Sequence, residues 1–312
     1  MHRLIFLIST LFMLLTPGLA AKAASGEVLD SQGRLETDLR FLTDSLQGGR
    51  LETDLRFLTD SLQGGRATGS SSCQSVTFML LREFKNFGLE TSVQSFDCGG
   101  KTGHNVIGIT PGWFRRYIVV SAYYDGLGVL DGSIYPGADA NASGVGVLLS
   151  LVRSLPEFCK GDTGIVFVAF DAHNAGLLGS KAFIEREKGK YDISLLVNLD
   201  TVGSSESPIH KSRPDYLMAL GGAGYFFSMD NANRGIGLDL GYDYYGSATF
   251  TDLFYNKVSD QRWFLERGIP SVMFTSGITM DTNKTTDIVD NLDIQVLNKR
   301  VSFIFRWLVG LL

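Results

Sequence analysis

The stretch best suited to chemistry covers residues 116–155, where RYIVVSAYYDGLG leads through a loop into SIYPGADANASGVGVLLSLVRSL. Residues 117–122 form a mostly apolar run of strand length, and Tyr123, Tyr124 and Asp125 stand in the polar turn that ends it. Asn141-Ala142-Ser143-Gly144 then opens a helix. In an α/β protein, polar groups at the carboxyl ends of strands face the ligand crevice. Every other segment can be weighed by what it brings there.

The elements that must position this crevice are legible as apolar runs. Strands are expected at 91–96, 105–110, 164–170, 194–199, 216–220 and 271–274. An amphipathic helix over 76–87 ends at Gly88, and AGLLGSKAFIERE reads as another helix. Apolar strands alternating with amphipathic helices give an α/β fold in a single domain, with a central mixed, mostly parallel sheet sandwiched between helices. Residues 222–258, rich in Gly, Tyr and Asp, suggest loops and short elements. Residues 294–312 form a C-terminal helix whose last part, VSFIFRWLVGLL, is strongly apolar. That run is short and Arg306 interrupts it, so packing on the sheet is preferred to a membrane tail.

The amino end reads as a secretory leader: a basic start, an apolar core over residues 4–15, and Ala21-Lys22-Ala23 as a small-x-small cleavage site. Pro17 and Gly18 break a segment already too short to span a membrane. Removing residues 1–23 leaves 26 basic against 33 acidic residues, with no electrostatic case for nucleic acid. An exported protein, periplasmic or extracellular, is expected, with no membrane attachment after cleavage. Of the cysteines, Cys73 opens a helix and Cys98 closes the strand after it. Their spacing permits a disulfide without establishing one, and Cys159 would then be a free, buried thiol.

Residues 33–48 and 49–64 are identical, GRLETDLRFLTDSLQG twice. Leucines at helical spacing give each copy one apolar stripe. Sixteen residues at roughly 100° apiece turn the second stripe about 160° from the first. One straight helix therefore cannot bury both on one wall, and Gly48-Gly49 suggests a break between two short helices. One copy is expected to dock and the other to be spare. The domain proper is placed at 49–312, after a leader (1–23) and an N-terminal segment carrying the first copy (24–48).

SAYYDGLG, YPGADANASGVGVLL, VFVAFDAHNAGLLGS, LVNLDTVG, SDQRWFLERGIPSVMF and FTSG occur in the order and approximate spacing seen in secreted bacterial di-zinc aminopeptidases. Residues 50–312 resemble that family, whose fold glutaminyl cyclases, nicastrin and the transferrin-receptor ectodomain share. The resemblance implies two zinc ions bridged by a carboxylate and a water, with a glutamate as general base. Asp, Glu and His do this work because they present lone pairs at neutral pH.

Carried over position by position, that site is depleted. The first His ligand falls on Tyr123 and the bridging Asp on Ala140. The general base and its neighbouring Glu ligand fall on His173 and Asn174, and the last His falls on Asn283. Asp200 alone keeps a ligand of the expected type. Asp139 and Asp281 lie one and two residues from lost ligands, and Asp125 two residues after Tyr123. A shift of one residue turns a side chain away, so such neighbours do not rebuild the set together. By the same resemblance, Asp125, Asp260 and Asp287 keep supporting positions, with loop capping and helix-start bonds as the plainer roles.

The expectation is an exported relative of these peptidases without their catalysis. Its crevice would be lined by Tyr123, Asp125, Asp139, His173, Asn174, Asp200 and Asn283 and would hold a peptide or protein partner. No cofactor is expected, and one metal at most, on His173 and Asp200. The alternative is an active aminopeptidase or cyclase-like enzyme with a rebuilt site that holds that single metal on His173 and Asp200.

Overall fold

The first described element of the computed structural model is a helix, α1 (Ser45–Thr59); the structure describes residues 45–187, 189–205 and 213–312. The expected leader and the first repeat copy up to residue 44 lie outside the described residues. Residues Gln47–Leu312 form one compact unit. The expected break at Gly48-Gly49 is corrected, because α1 runs straight through both glycines. Glycine tolerates helical dihedrals at a cost of about 1 kcal/mol, so a pair of them weakens a helix without having to end it. The chain turns instead over the one-turn helix Ser61–Arg66, where Gly64 and Gly65 take φ of 50° and 69°. A Cβ on Gly65 would stand 2.5 Å from the Tyr135 carbonyl oxygen, so only glycine fits.

The second copy is thus docked through Leu51, Leu55 and Leu58, all buried, while Leu62 is almost fully exposed. Next come α2 (Ser71–Asn86), the hairpin β1 (Glu90–Cys98) and β2 (Lys101–Ile109), and β3 (Arg116–Tyr123). A small ribbon of β4 (Gly128–Leu130) and β5 (Ser133–Tyr135) precedes α3 (Gly144–Ser154) and β6 (Thr163–Phe170). Then follow α4 (Leu178–Glu187), β7 (Ile193–Leu199), β8 (Tyr216–Leu220), α5 (Phe226–Asn233), β9 (Asp239–Gly241), α6 (Ala248–Asn256) and α7 (Arg262–Leu265). The chain closes with β10 (Ser271–Thr275) and α8 (Ile294–Val309).

Eight strands form one mixed sheet in the order β1-β2-β6-β3-β7-β10-β8-β9. Its centre, β6-β3-β7-β10, is parallel throughout. These strands are buried almost end to end, as covering helices on both faces require. One face packs Val119, Val166, Val168, Phe170 and Leu196 against Phe183, Ile184 and Phe264. On the other side α8 brings Phe303 and Trp307 edge-on to Phe274, with ring centroids 5.8 and 5.5 Å away. The C-terminal helix therefore packs inside the domain, and among the described residues no helix is long and apolar enough to cross a membrane.

Registers place the ends of the parallel strands level. Tyr123 pairs with Phe170 and Ala122 with Leu199, so the residues that leave β3, β6 and β7 emerge side by side. Cys73 and Cys98 are both free thiols, as is half-buried Cys159. The Cys73 sulfur sits 3.7 Å from Asp171 Oδ1. Burial and that carboxylate together push its thiol far above the usual range, the opposite of a reactive cysteine.

Candidate functional site

Tyr123, the last residue of β3, shares a face of the sheet with Val119 because side chains alternate along a strand. Its ring lies flat against the His173 imidazole, with centroids 3.6 Å apart and planes within 11°. Burial, with Asp200 and Asp125 close by, drives the phenol well above its ordinary value, so it stays protonated.

His173 stands three residues past β6, in a turn held by Asp125. One carboxylate oxygen of Asp125 accepts the His173 N–H at 2.8 Å; the other accepts the backbone and side-chain N–H of Asn174 at 3.0 and 3.1 Å. The imidazole Nδ1 is 2.8 Å from Asp260 Oδ2, and Asp260 Oδ1 accepts the hydroxyl of Ser180. Burial opposes a charge on His173, but Asp260, then Asp200 and Asp125, outweigh it and raise the imidazole to about 9. At neutral pH the imidazole is a cation stacked on the Tyr123 ring and bonded at Nδ1 to Asp260, and the face of an aromatic ring favours a cation. Burial also pushes the Asp125 carboxyl up, to about 6.

Asp200 follows β7 and is buried, its Oδ2 accepting the Ser259 hydroxyl. Ser259 is fixed in turn by the Asn198 amide at 2.9 Å, and Asn198 accepts Ser121 Oγ at 3.0 Å. Burial raises the Asp200 carboxyl, with His173 pulling the other way.

The loop opposite is built on Asp287. Its carboxylate takes the Asp139 and Ala140 N–H groups at 2.7 and 3.0 Å, and Ala140 is itself buried. Asp139 does not substitute for it, because its Oδ1 accepts the Gly203 N–H at 2.7 Å and the Ser143 hydroxyl at 3.2 Å. Its Oδ2 is buried without a partner, and burial beside Asp287 pushes the carboxyl up to about 7. Asn141 locks the loop to the sheet. Its amide donates to the carbonyls of Tyr123 and Leu199, and its oxygen accepts the Thr201 N–H at 2.9 Å.

Tyr123, Asp125, His173, Asn174, Asp200 and Asp260 are thus brought together by bonds or stacking and by their fields on one another. Asn283 lies in an exposed turn at φ 61°, and Asp281 accepts Thr286 Oγ1. Among the described residues, no group of three or more His, Cys, Asp and Glu side chains is arranged to hold a metal ion. The plainer role considered for Asp287, holding a loop, matches its bonds, whereas Asp260 is the direct partner of His173. Sequence reasoning missed Ser180, Ser259 and Arg66, and took Asn141 only as part of a helix entry. Arg66, a charge set among glycines in GGRATGS, carried the one signal that could have drawn notice.

The family model described as Peptidase family M28 matches residues 105–307. Aminopeptidase YwaD of Bacillus subtilis is 30% identical over 184 residues, 57% of this chain and 36% of that protein. Leucine aminopeptidase 1 of Sclerotinia sclerotiorum is 30% identical over 120 residues, 36% of this chain and 31% of its own length. The chain thus spans about a third of the length of these relatives. Among solved structures, BSAP, a zinc aminopeptidase from Bacillus subtilis, superposes with a TM-score of 0.69 at 16% identity, covering 85% of this chain and 94% of its own. The glutaminyl cyclase of Porphyromonas gingivalis gives a TM-score of 0.67 at 18% identity, covering 85% and 98%. Likeness at such identities speaks for the fold alone.

Proposed function

The chain belongs to peptidase family M28, and from that membership we propose that it is a non-catalytic member whose crevice binds a peptide or protein partner without cleaving it. The observation that carries this reading is the Tyr123–His173 stack with its Asp260 bond. Zinc ions of the kind its relatives hold require anionic and imidazole donors with free lone pairs. Here a protonated phenol, an alanine methyl, an amide spent on Asp125 and an exposed turn asparagine stand at four of the six positions. A pair of zinc ions does not fit this donor set. A single ion on His173 and Asp200 would first have to expel a proton that neighbouring carboxylates retain to about pH 9. The same proton disqualifies His173 as a general base at neutral pH.

Metal analysis of protein expressed with zinc and then dialysed tests the reading, together with assays on aminoacyl chromogenic substrates. The expected outcome is no stoichiometric zinc and no hydrolysis. Tightly held zinc with turnover that His173→Ala or Asp200→Ala abolishes would establish the enzyme instead. Binding is checked by titrating a peptide library with free amino termini while following the His173 resonances, which bound peptide is expected to shift. Export is part of the proposal. Amino-terminal sequencing of protein recovered outside the cytoplasm should begin just after Ala23.

A further inference from the structure

Arg66 is fully buried, yet no described carboxylate forms an ion pair with it. Its guanidinium makes four hydrogen bonds, all to backbone carbonyls. Nε donates to Tyr124 O at 3.0 Å, Nη1 to Leu58 O at 2.5 Å and Pro136 O at 2.7 Å, and Nη2 to Gly137 O at 2.9 Å. Its own carbonyl accepts the Gly126 N–H at 2.9 Å. Three separate segments meet on this one side chain. Leu58 belongs to the docked repeat helix, Tyr124 follows the stacked Tyr123, and Pro136-Gly137 lead into the loop carrying Asp139, Ala140 and Asn141. The contact has no slack, since a Cβ on Gly126 would fall 2.4 Å from the Gly65 oxygen. A planar guanidinium offers donors in a fixed fork, whereas a lysine offers one compact head, so the three segments are spaced by the geometry of arginine itself.

We propose that Arg66 is a positioning residue of the crevice, setting the Tyr123 side against the Ala140 loop and tying both to the docked repeat helix. This rests on the reading of the crevice as the working site. Arg153 supplies the comparison. Its side chain is also largely withdrawn from solvent, but its guanidinium pairs with two carboxylates, Asp54 and Glu83, between α1, α2 and α3.

The test is nuclear magnetic resonance on the full unliganded protein with labelled histidine, comparing wild type with Arg66→Lys, Arg66→Gln and Arg153→Lys well below their melting temperatures. Both Arg66 variants are expected to move the His173 ring resonances by many linewidths, because the Tyr123 ring current acts at stacking distance. Arg153→Lys should lower the melting temperature and leave those resonances in place. Unmoved His173 signals in a folded Arg66 variant, or equal movement in Arg153→Lys, would overturn the proposal. Should the Arg66 variants fail to fold, native-state hydrogen exchange on wild type decides. The Gly126 and Ala142 amides should open together with those of α1, and separate opening would refute the coupling. Neither readout needs a ligand, so a failure of peptide binding and a failure of this proposal remain distinguishable.

Discussion

His173 holds its proton through carboxylates that lie far away in sequence, and the consequence is a pH-dependent stability. Its imidazole is raised to about 9 in the fold, so the stabilising proton is fully bound below the ordinary value of 6.5 and lost as pH rises through 9. The raised carboxyls of Asp125 and Asp139 act in the same direction at lower pH. Their protons favour the fold below the ordinary value of 3.8, and the cost of ionising them in place accrues up to about 6 and 7. The melting temperature should therefore be highest in mild acid and fall toward pH 9. Of that fall, roughly 3 kcal/mol between pH 6.5 and 9 belongs to His173. His173→Gln should flatten the upper part of the profile, as scanning fluorimetry across a pH series would register. A profile that still declines between 8 and 9 in that variant would assign the proton elsewhere.

The docked repeat helix rests on three leucines and a small ion-pair network. Leu51 meets α3 at Gly146, where an added Cβ would lie 2.7 Å from the Leu51 Cδ1. Arg153 joins Asp54 to Glu83, and Glu83 also takes Arg50 at 2.9 Å. Leu55→Ala should cost about 2–5 kcal/mol of unfolding free energy, the range for emptying a buried leucine site, measurable by urea denaturation. Deleting residues 33–48 or 49–64 yields the same polypeptide, because the copies are identical. In it the single copy can make every contact described for α1. The melting temperature of that shortened chain is expected to match the parent's, and a large drop would give the first copy a structural role.

At the scale of the molecule, the shell around the crevice is fully engaged: Asp125, Asp260, Asp287, Asn141 and Arg66 all make hydrogen bonds. Restoring donors by combining Tyr123→His, Ala140→Asp, His173→Glu, Asn174→Glu and Asn283→His should then confer zinc binding. It should also raise the melting temperature in added zinc, since a ligand held only by the folded state stabilises it by mass action. No gain of metal would mean that the shell has drifted along with the centre. Much of this architecture is legible in the sequence. Parallel strands covered on both faces must be apolar along their whole length, so β3, β6 and β7 announce themselves, and a one-sided stripe betrays α8. The types of side chain at the strand ends are likewise properties of the sequence alone. Tertiary structure decided the rest. Asp260 meets His173 across 87 residues, and Arg66 reaches Gly137 across 71. Whether an imidazole carries charge, or a glycine pair bends a helix, depends on neighbours that only the closed fold supplies, because electrostatic and packing energies follow distance in space and not position along the chain.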